Sequence, residues 1–595
     1  MSSVHRFHIP VMGLGFTVDS PIKVAKYGIS SVVSIMDDQL LEDIRRRYSR
    51  ELTIPYIAIH EDDDDSRAKR VEAYLNLLQY VVNREMRHLQ SQDFVLDKDI
   101  NQYFDLLPKD HPAARLYLMM KNAAGFKRLD LQEELRKHLV PGRTDVNIMT
   151  KVDKINYSKS GEALGREYSD ALAALRGFAK SKLEGGVVFS AGMNPSLYSY
   201  MEEFDVFFPD ENGVIKKPVI LKVSDYRSAL IQGKFLAKKG IWVSEFRIES
   251  GLNCGGHAFA TDGLLAGPIL DAFKEDRKEL RDTLFQLCQE ALEKKGVSKL
   301  PENSQPKITY QGGIGNAEEN QFLMDYYQLD GTGWGSPFLL VPEATSVDED
   351  TLQRLLQAKK SDFYLSHASP LGIPFNNLKN SSAEEQRISR IEKGRPGSPC
   401  YKKFLSFNTE FTEKPICTAS RQYQDLKIKK RAKGEISEEE INGVLEKDCL
   451  CEGLSAPAIL SGGEVPRRNL KAVTICPGPN LAYFKGIFSL KDMVDHIYGK
   501  VSLKLDSERP HVFVKELQLY MQHLKTEISK TVTENNKKQE AYLDKFRKNL
   551  FEGIDYYQGL VSHFAMDAAS GIGKIKYQLD HLKMELQELT PGLTK

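Results

Sequence analysis

Short β-branched runs alternate with helix-patterned stretches over roughly the first 345 residues of this 595-residue chain. Eight runs read as strands: "IPVMGLG" (9–15), "SSVVSI" (30–35), "IPYIAI" (54–59), "GGVVFSA" (185–191), "PVILKV" (218–223), "SEFRIES" (244–250), "KITYQGG" (307–313) and "DGTGWGS" (330–336). Between several of them lie segments such as "SPIKVAKYG" and "SALIQGKFLAKKG", each closed by a glycine suited to a helix C-terminus. Strands alternating with helices predict a parallel sheet, and eight of them predict a closed (β/α)8 barrel. The long span after 54–59 contains "AYLNLLQYVVNREMRHL" and "ARLYLMMKNAAGF", which read as helices. The expected organisation is therefore a barrel over 1–345, with a helical insertion at about 75–180.

The pattern then changes. Residues 346–505 are mixed and rich in turn signals such as "GRPGSP" and "PGPN", and they read as an accessory domain. Residues 506–595 read as a helical hairpin region. Leu517, Met521, Leu524 and Ile528 form one apolar stripe, and Ile575, Leu579, Leu582 and Leu586 form another. Such stripes pack against the parent domain or serve a second subunit, so homo-oligomerisation through them is one expectation.

Composition narrows the class. Lys+Arg and Asp+Glu both number 82, a balance that gives no reason to expect nucleic acid or an acidic membrane as partner. No run approaches a membrane span, and "MSSVHRFHIP" lacks a signal-peptide layout. The 7 cysteines have no extracellular spacing, which predicts reduced thiols and a cytoplasmic location.

Candidate chemistry gathers at the strand ends, where barrels of this type place their sites and where the last two loops often hold phosphate. Those loops read "QGGIGNAEE" and "GTGWGSPF". Gly312, Gly313, Gly335 and Ser336 offer backbone N–H groups to a phosphate, with Asn316 capping the next helix. Met12 and Gly13 end the first strand in a form that lets backbone lie under a planar ring. Lys222 interrupts an apolar strand and must pair with a carboxylate or face a ligand. In "NCGGH", Gly255 and Gly256 bring His257 to the same mouth, where an imidazole can transfer a proton or orient a small-molecule substrate. Five cysteines lie between 400 and 476, and Cys400, Cys417, Cys449 and Cys451 are candidate ligands for a metal or an iron–sulfur cluster. Buried reduced thiols are the alternative.

As a set, "IPVMGLGF", "CGGH", "GGI" and "QLDGTGWGSPF" resemble the nitronate monooxygenase (2-nitropropane dioxygenase-like) family over roughly residues 8–345. Asn253-Cys254 stands where that family usually has Glu-Ala, and Ser336-Pro337 follows Gly335. The resemblance implies a (β/α)8 barrel binding FMN, with the phosphate on Gly312, Gly313, Gly335 and Ser336 and with His257 acting beside the flavin. It implies nitronate oxidation, or alternatively reduction of an activated C=C bond such as an enoyl thioester. A non-catalytic ligand-binding or scaffold protein is the rival reading, in which His257 is incidental.

Overall fold

A computed structural model gives the fold. It describes residues 4–158, 160–190, 192–253, 255–257, 262–531, 537–563 and 569–589. Eight parallel strands close into a barrel in the order β1 to β8. They are β1 (Phe7–Ile9), β2 (Ser30–Ser34), β3 (Thr144–Met149), β4 (Val187–Ser190), β5 (Val219–Val223), β6 (Val243–Glu249), β7 (Lys307–Gln311) and β8 (Gly331–Gly333). β1 pairs with β8 through Phe7–Thr332 and His8–Gly333, which seals the cylinder.

Two expected strands differ. The first is Phe7–Ile9, so only Ile9 of the expected 9–15 is strand, and Met12 and Gly13 lie in the loop after it. The other is replaced outright. Residues 54–59 are not a strand, and Ile57 is 82% exposed. Their backbone instead serves the helix Asp38–Glu51: Ile59 N–H donates to Glu42, and the Ile57 carbonyl accepts from Arg45. The third strand is Thr144–Met149, inside the stretch assigned to the insertion. Its polar Asp145 and Asn147 broke the apolar run that marked the others. The helices Ser66–Ser91, Lys98–Leu106, Pro112–Lys121 and Gly125–Lys137 precede it, and Asp170–Lys180 follows it.

Strand alternation divides the barrel residues between two environments. Phe246 and Ile248 belong to the main apolar core, while Glu245, Arg247 and Glu249 alternate with them. Val32, Val188 and Ile220 form a separate apolar cluster of three, with Val11 against it. Around that small plug the barrel is polar: Glu245 takes both Arg247 and the Thr309 hydroxyl, and Arg143 bridges Asp145 and Glu245.

Beyond the barrel, β9 (Phe363–Ser366) and β10 (Phe375–Leu378) form an antiparallel hairpin. The helices Val512–Thr531, Lys537–Leu560 and Ala569–Glu588 end the described chain. One continuous apolar core runs from Phe7 through Leu405 and Leu454 to Leu586. Leu517, Met521, Leu524, Ile575, Leu579, Leu582 and Leu586 are all buried within it, so both expected stripes pack inside this chain. Among the described residues no helix is long and apolar enough to cross a membrane.

Candidate functional site

The ends of six of the eight strands, or the loops after them, converge on a chamber of about 110 Å³ at the C-terminal mouth. Ser34, Asn147, Met149, Ser190, Lys222 and Glu249 rise from β2 to β6, with Val11 and Gly13 from the first loop and Gly255 and His257 from the sixth. Five of the sequence-predicted residues thus meet here: Gly13, Lys222, Gly255, His257 and Cys451. At roughly 10–15 Å³ of such space per water, the chamber holds on the order of eight waters, the scale of a fused-ring group.

The polar edge is specific. Lys222 Nζ donates to Glu249 Oε1 at 2.9 Å, and Gln311 Nε2 donates to the same oxygen at 2.7 Å. Lys222 is therefore paired with a carboxylate, as one of its two expected roles required, and its side chain also lines the chamber. Asn147 Oδ1 is buried with no hydrogen-bond partner among the described residues. An acceptor left alone in a polar cavity costs about 1–3 kcal/mol unless something fills the place.

His257 lies on the turn that Gly256 makes at φ 86°. A Cβ at Gly256 would stand 2.5 Å from the Phe375 ring, so only glycine lets β10 approach. His257 Nε2 shares a 2.7 Å hydrogen bond with Ser369 Oγ, and its ring meets Phe375 edge-on at 5.2 Å between centroids. Burial, aided by the positive charges of Lys151 and Lys222, lowers its pKa to about 4. The imidazole is neutral at pH 7. Cys254 lies outside the described residues.

The chamber's roof comes from the distant C-terminal half. Phe404, Leu405, Leu450, Cys451 and Leu454 cover it. Buried Lys402 locks this roof to the barrel through Asp37 Oδ2 at 2.7 Å. Of the roof residues only Cys451 was marked by the sequence, as a candidate metal ligand, and no motif pointed to the other four.

The remaining predicted glycines are engaged elsewhere. Residues 474–480 cross the mouth as a strap: Gly478 N–H donates to Ser336 Oγ at 2.7 Å, and Asn480 Nδ2 donates to the Ile314 carbonyl at 2.9 Å. Buried Arg509 donates to the Gly313 carbonyl and to Asn480, and pairs with Glu319 at 2.7 Å. Gly312 and Gly313 have φ of 118° and 80°, but a Cβ on them would meet Ser250 Oγ at 2.6 Å and Leu252 Cδ1 at 2.5 Å. Met12 is fully buried, with its N–H held by Thr17 Oγ1. Gly312, Gly313, Gly335 and Ser336 lie outside the chamber wall.

The fit to FMN accordingly has two ends. A planar ring fits the chamber, with its unpartnered Asn147 acceptor, Lys222 and His257. At the phosphate end, the Ser336–Gly478 bond occupies the place and has to be exchanged.

Cys400, Cys417, Cys449 and Cys451 do gather, but among the described residues no group of three or more His, Cys, Asp or Glu is arranged to hold a metal ion. A hydrogen bond from Cys417 brings the Cys400 thiol down to about 7, while burial pushes Cys449 up to about 12. The metal or cluster reading is not carried further.

No protein-family model matches the chain, and no curated protein matches it. Among solved structures, it is similar to FabK from Thermotoga maritima, at 12% identity and a TM-score of 0.30, covering 64% of this chain and 82% of that one. It is also similar to the enoyl reductase domain of MlnA from the macrolactin biosynthesis cluster of Bacillus amyloliquefaciens, at 14% and 0.33, over 75% and 93%. A third is nitroalkane oxidase from Streptomyces ansochromogenes, at 10% and 0.28, over 63% and 84%. At these scores the likenesses carry no assignment of activity.

Proposed function

We propose that this protein is an FMN-dependent oxidoreductase whose flavin ring lies in the mouth chamber. The observation that carries this reading is the chamber itself, where strand ends and loops bring Lys222, His257 and an unpartnered Asn147 acceptor around one enclosed space. Bound FMN would supply the two-electron chemistry. Asn147 and Lys222 would hold the polar edge of the ring. Met36, Met149, Leu405 and Leu454 would keep water from it.

His257, neutral and fixed by Ser369, would accept a hydrogen bond from the substrate or take its proton at the imidazole. A pKa of about 4 favours orientation over general-base work at neutral pH. Nitronate oxidation is the leading reaction. Reduction of an activated C=C bond is the alternative, since both place a small activated substrate beside ring and imidazole.

The test is reconstitution of the purified protein with FMN and, in parallel, riboflavin, followed by absorption. Binding of FMN with turnover of a nitronate or an enoyl thioester is expected. His257→Ala should keep the flavin and lose about 10²–10⁴-fold in turnover. Equal affinity for riboflavin and FMN would show that the phosphate end stays closed. A colourless protein that takes up neither flavin would overturn the reading.

A further inference from the structure

A second and larger cavity opens at the opposite end of the barrel, about 710 Å³ against about 110 Å³ at the mouth. Its ceiling is the strand starts: Ser30, Thr144, Glu245, Thr309 and Gly331. Its walls come from the helix Ser66–Ser91, the loop 181–184 and the segment 214–217. Barrel floors normally serve stability and are packed shut. Here the floor carries glycine, hydroxyls and charge where bulky aliphatic residues would close it, and its volume falls within the range of small-molecule sites.

The charge on the lining is unbalanced. Arg143 and Arg247 are satisfied by Asp145 and Glu245. Lys217 Nζ is spent on the carbonyls of Phe178, Ser181 and Leu183 and on the Ser181 hydroxyl. Asp330 is taken by Arg277. That leaves Arg6, Lys182, Lys216 and Lys307 with no ion pair among the described residues, against Glu184 alone. These four cations are exposed around the opening, and their like charges add to a positive potential across it. On one wall Gln79 Nε2 donates to Asn83 Oδ1 and Gln79 Oε1 accepts from the Glu184 N–H, which leaves the Asn83 amide N–H groups to a ligand.

We infer that the barrel floor is a second ligand site, for an anionic small molecule of nucleotide or polycarboxylate size. It stands apart from the flavin proposal, since no floor residue lines the mouth chamber. Phosphate and carboxylate share the chemistry that these cations would read.

The full-length protein is titrated calorimetrically with ADP and with citrate, adenosine serving as the uncharged control. Saturable one-to-one binding of ADP or citrate is expected, weakening as salt rises, with adenosine silent; ADP alone binding would identify a phosphate ligand, and citrate alone a carboxylate one. Hydrogen exchange on the unmodified protein should slow at 181–184 and 214–217. The double variant Lys216→Glu/Lys307→Glu, at two exposed positions, should weaken binding at least about tenfold. Lys216→Gln/Lys307→Gln should weaken it less and serves if the first misfolds. Failure of both anions to bind at millimolar concentration, binding unchanged by both variants, or protection confined to the mouth loops would each overturn the inference.

Discussion

The two ends of this barrel are built from the same strands and solve opposite problems. At the mouth, residues far away in sequence come down over the strand ends: the 402–405 segment, the 450–454 turn and the 474–480 strap leave only a small chamber. Among the described residues nothing comparable arrives at the floor, and a larger charged cavity stays open. Between them stand three apolar side chains and a polar column in which His8 bonds Gln311, Gln311 bonds Glu249, and Glu249 pairs with Lys222. The contrast teaches that a barrel does not close its own ends. Closure depends on what the rest of the chain lays across them.

The largest effect should come from removing the clamp on the strap. Arg509→Ala leaves Glu319 buried without its partner, and burial alone pushes that carboxyl up where Arg509 and His511 now hold it down. Breaking such a pair costs about 3–5 kcal/mol, read as a lower denaturant midpoint. An unchanged midpoint would mean that the mouth is closed by packing alone. At the floor, Glu245→Gln tests the corresponding network, because burial disfavours the Glu245 charge but Arg247 and Arg143 outweigh it. A similar loss is expected there.

Next in size is Gly478→Ala. Its φ of −64° suits any residue, but the added Cβ would stand 2.6 Å from the Asn253 carbonyl and 2.8 Å from Ser336 Oγ. Overpacking of this kind costs about 1–3 kcal/mol. Thermal unfolding would show it, and the strap would no longer donate cleanly to Ser336.

A pH effect connects both ends. Burial lowers His8 to about 3 and His257 to about 4, against an ordinary 6.5. The unfolded chain binds these protons first, so stability rises with pH between about 4 and 6.5 and is flat, as far as these groups go, above 6.5. Below about 4 the loss from His257 is complete. Replacing either histidine with Gln should reduce the slope of the unfolding midpoint against pH in that window; an unaltered slope would show that the histidine is hydrated.

The smallest effect is expected at Ile57→Ser, within about 0.5 kcal/mol, since the side chain is exposed. A large loss there would restore 54–59 as a structural strand and undo the assignment of Thr144–Met149 to the barrel.

Six strand positions were legible from local pattern because β-branched runs next to glycine turns need only their own neighbours to be recognised; the first strand, expected at 9–15, lies at Phe7–Ile9. The third strand was not legible. Asp145 and Asn147 are polar because Arg143 and the mouth chamber require them, and neither requirement is visible within the strand. "NCGGH" announced a turn carrying a histidine at a strand end, and that is where His257 stands. The partner that makes Gly256 necessary, Phe375, lies over a hundred residues away.

By itself, then, the sequence determined the repeat of strand and helix, the closure into a barrel and the location of Gly13, Lys222, Gly255 and His257 at its mouth. Periodicity and turn chemistry are local, and they act over a few residues. Only the tertiary structure decided that Gly312, Gly313 and Ser336 are packed by Leu252, Arg509 and Gly478, that Asn147 faces a chamber roofed by Leu405 and Leu454, and that the floor remains open. Those outcomes depend on which distant segments meet, and a meeting is fixed by shape and charge on both partners at once.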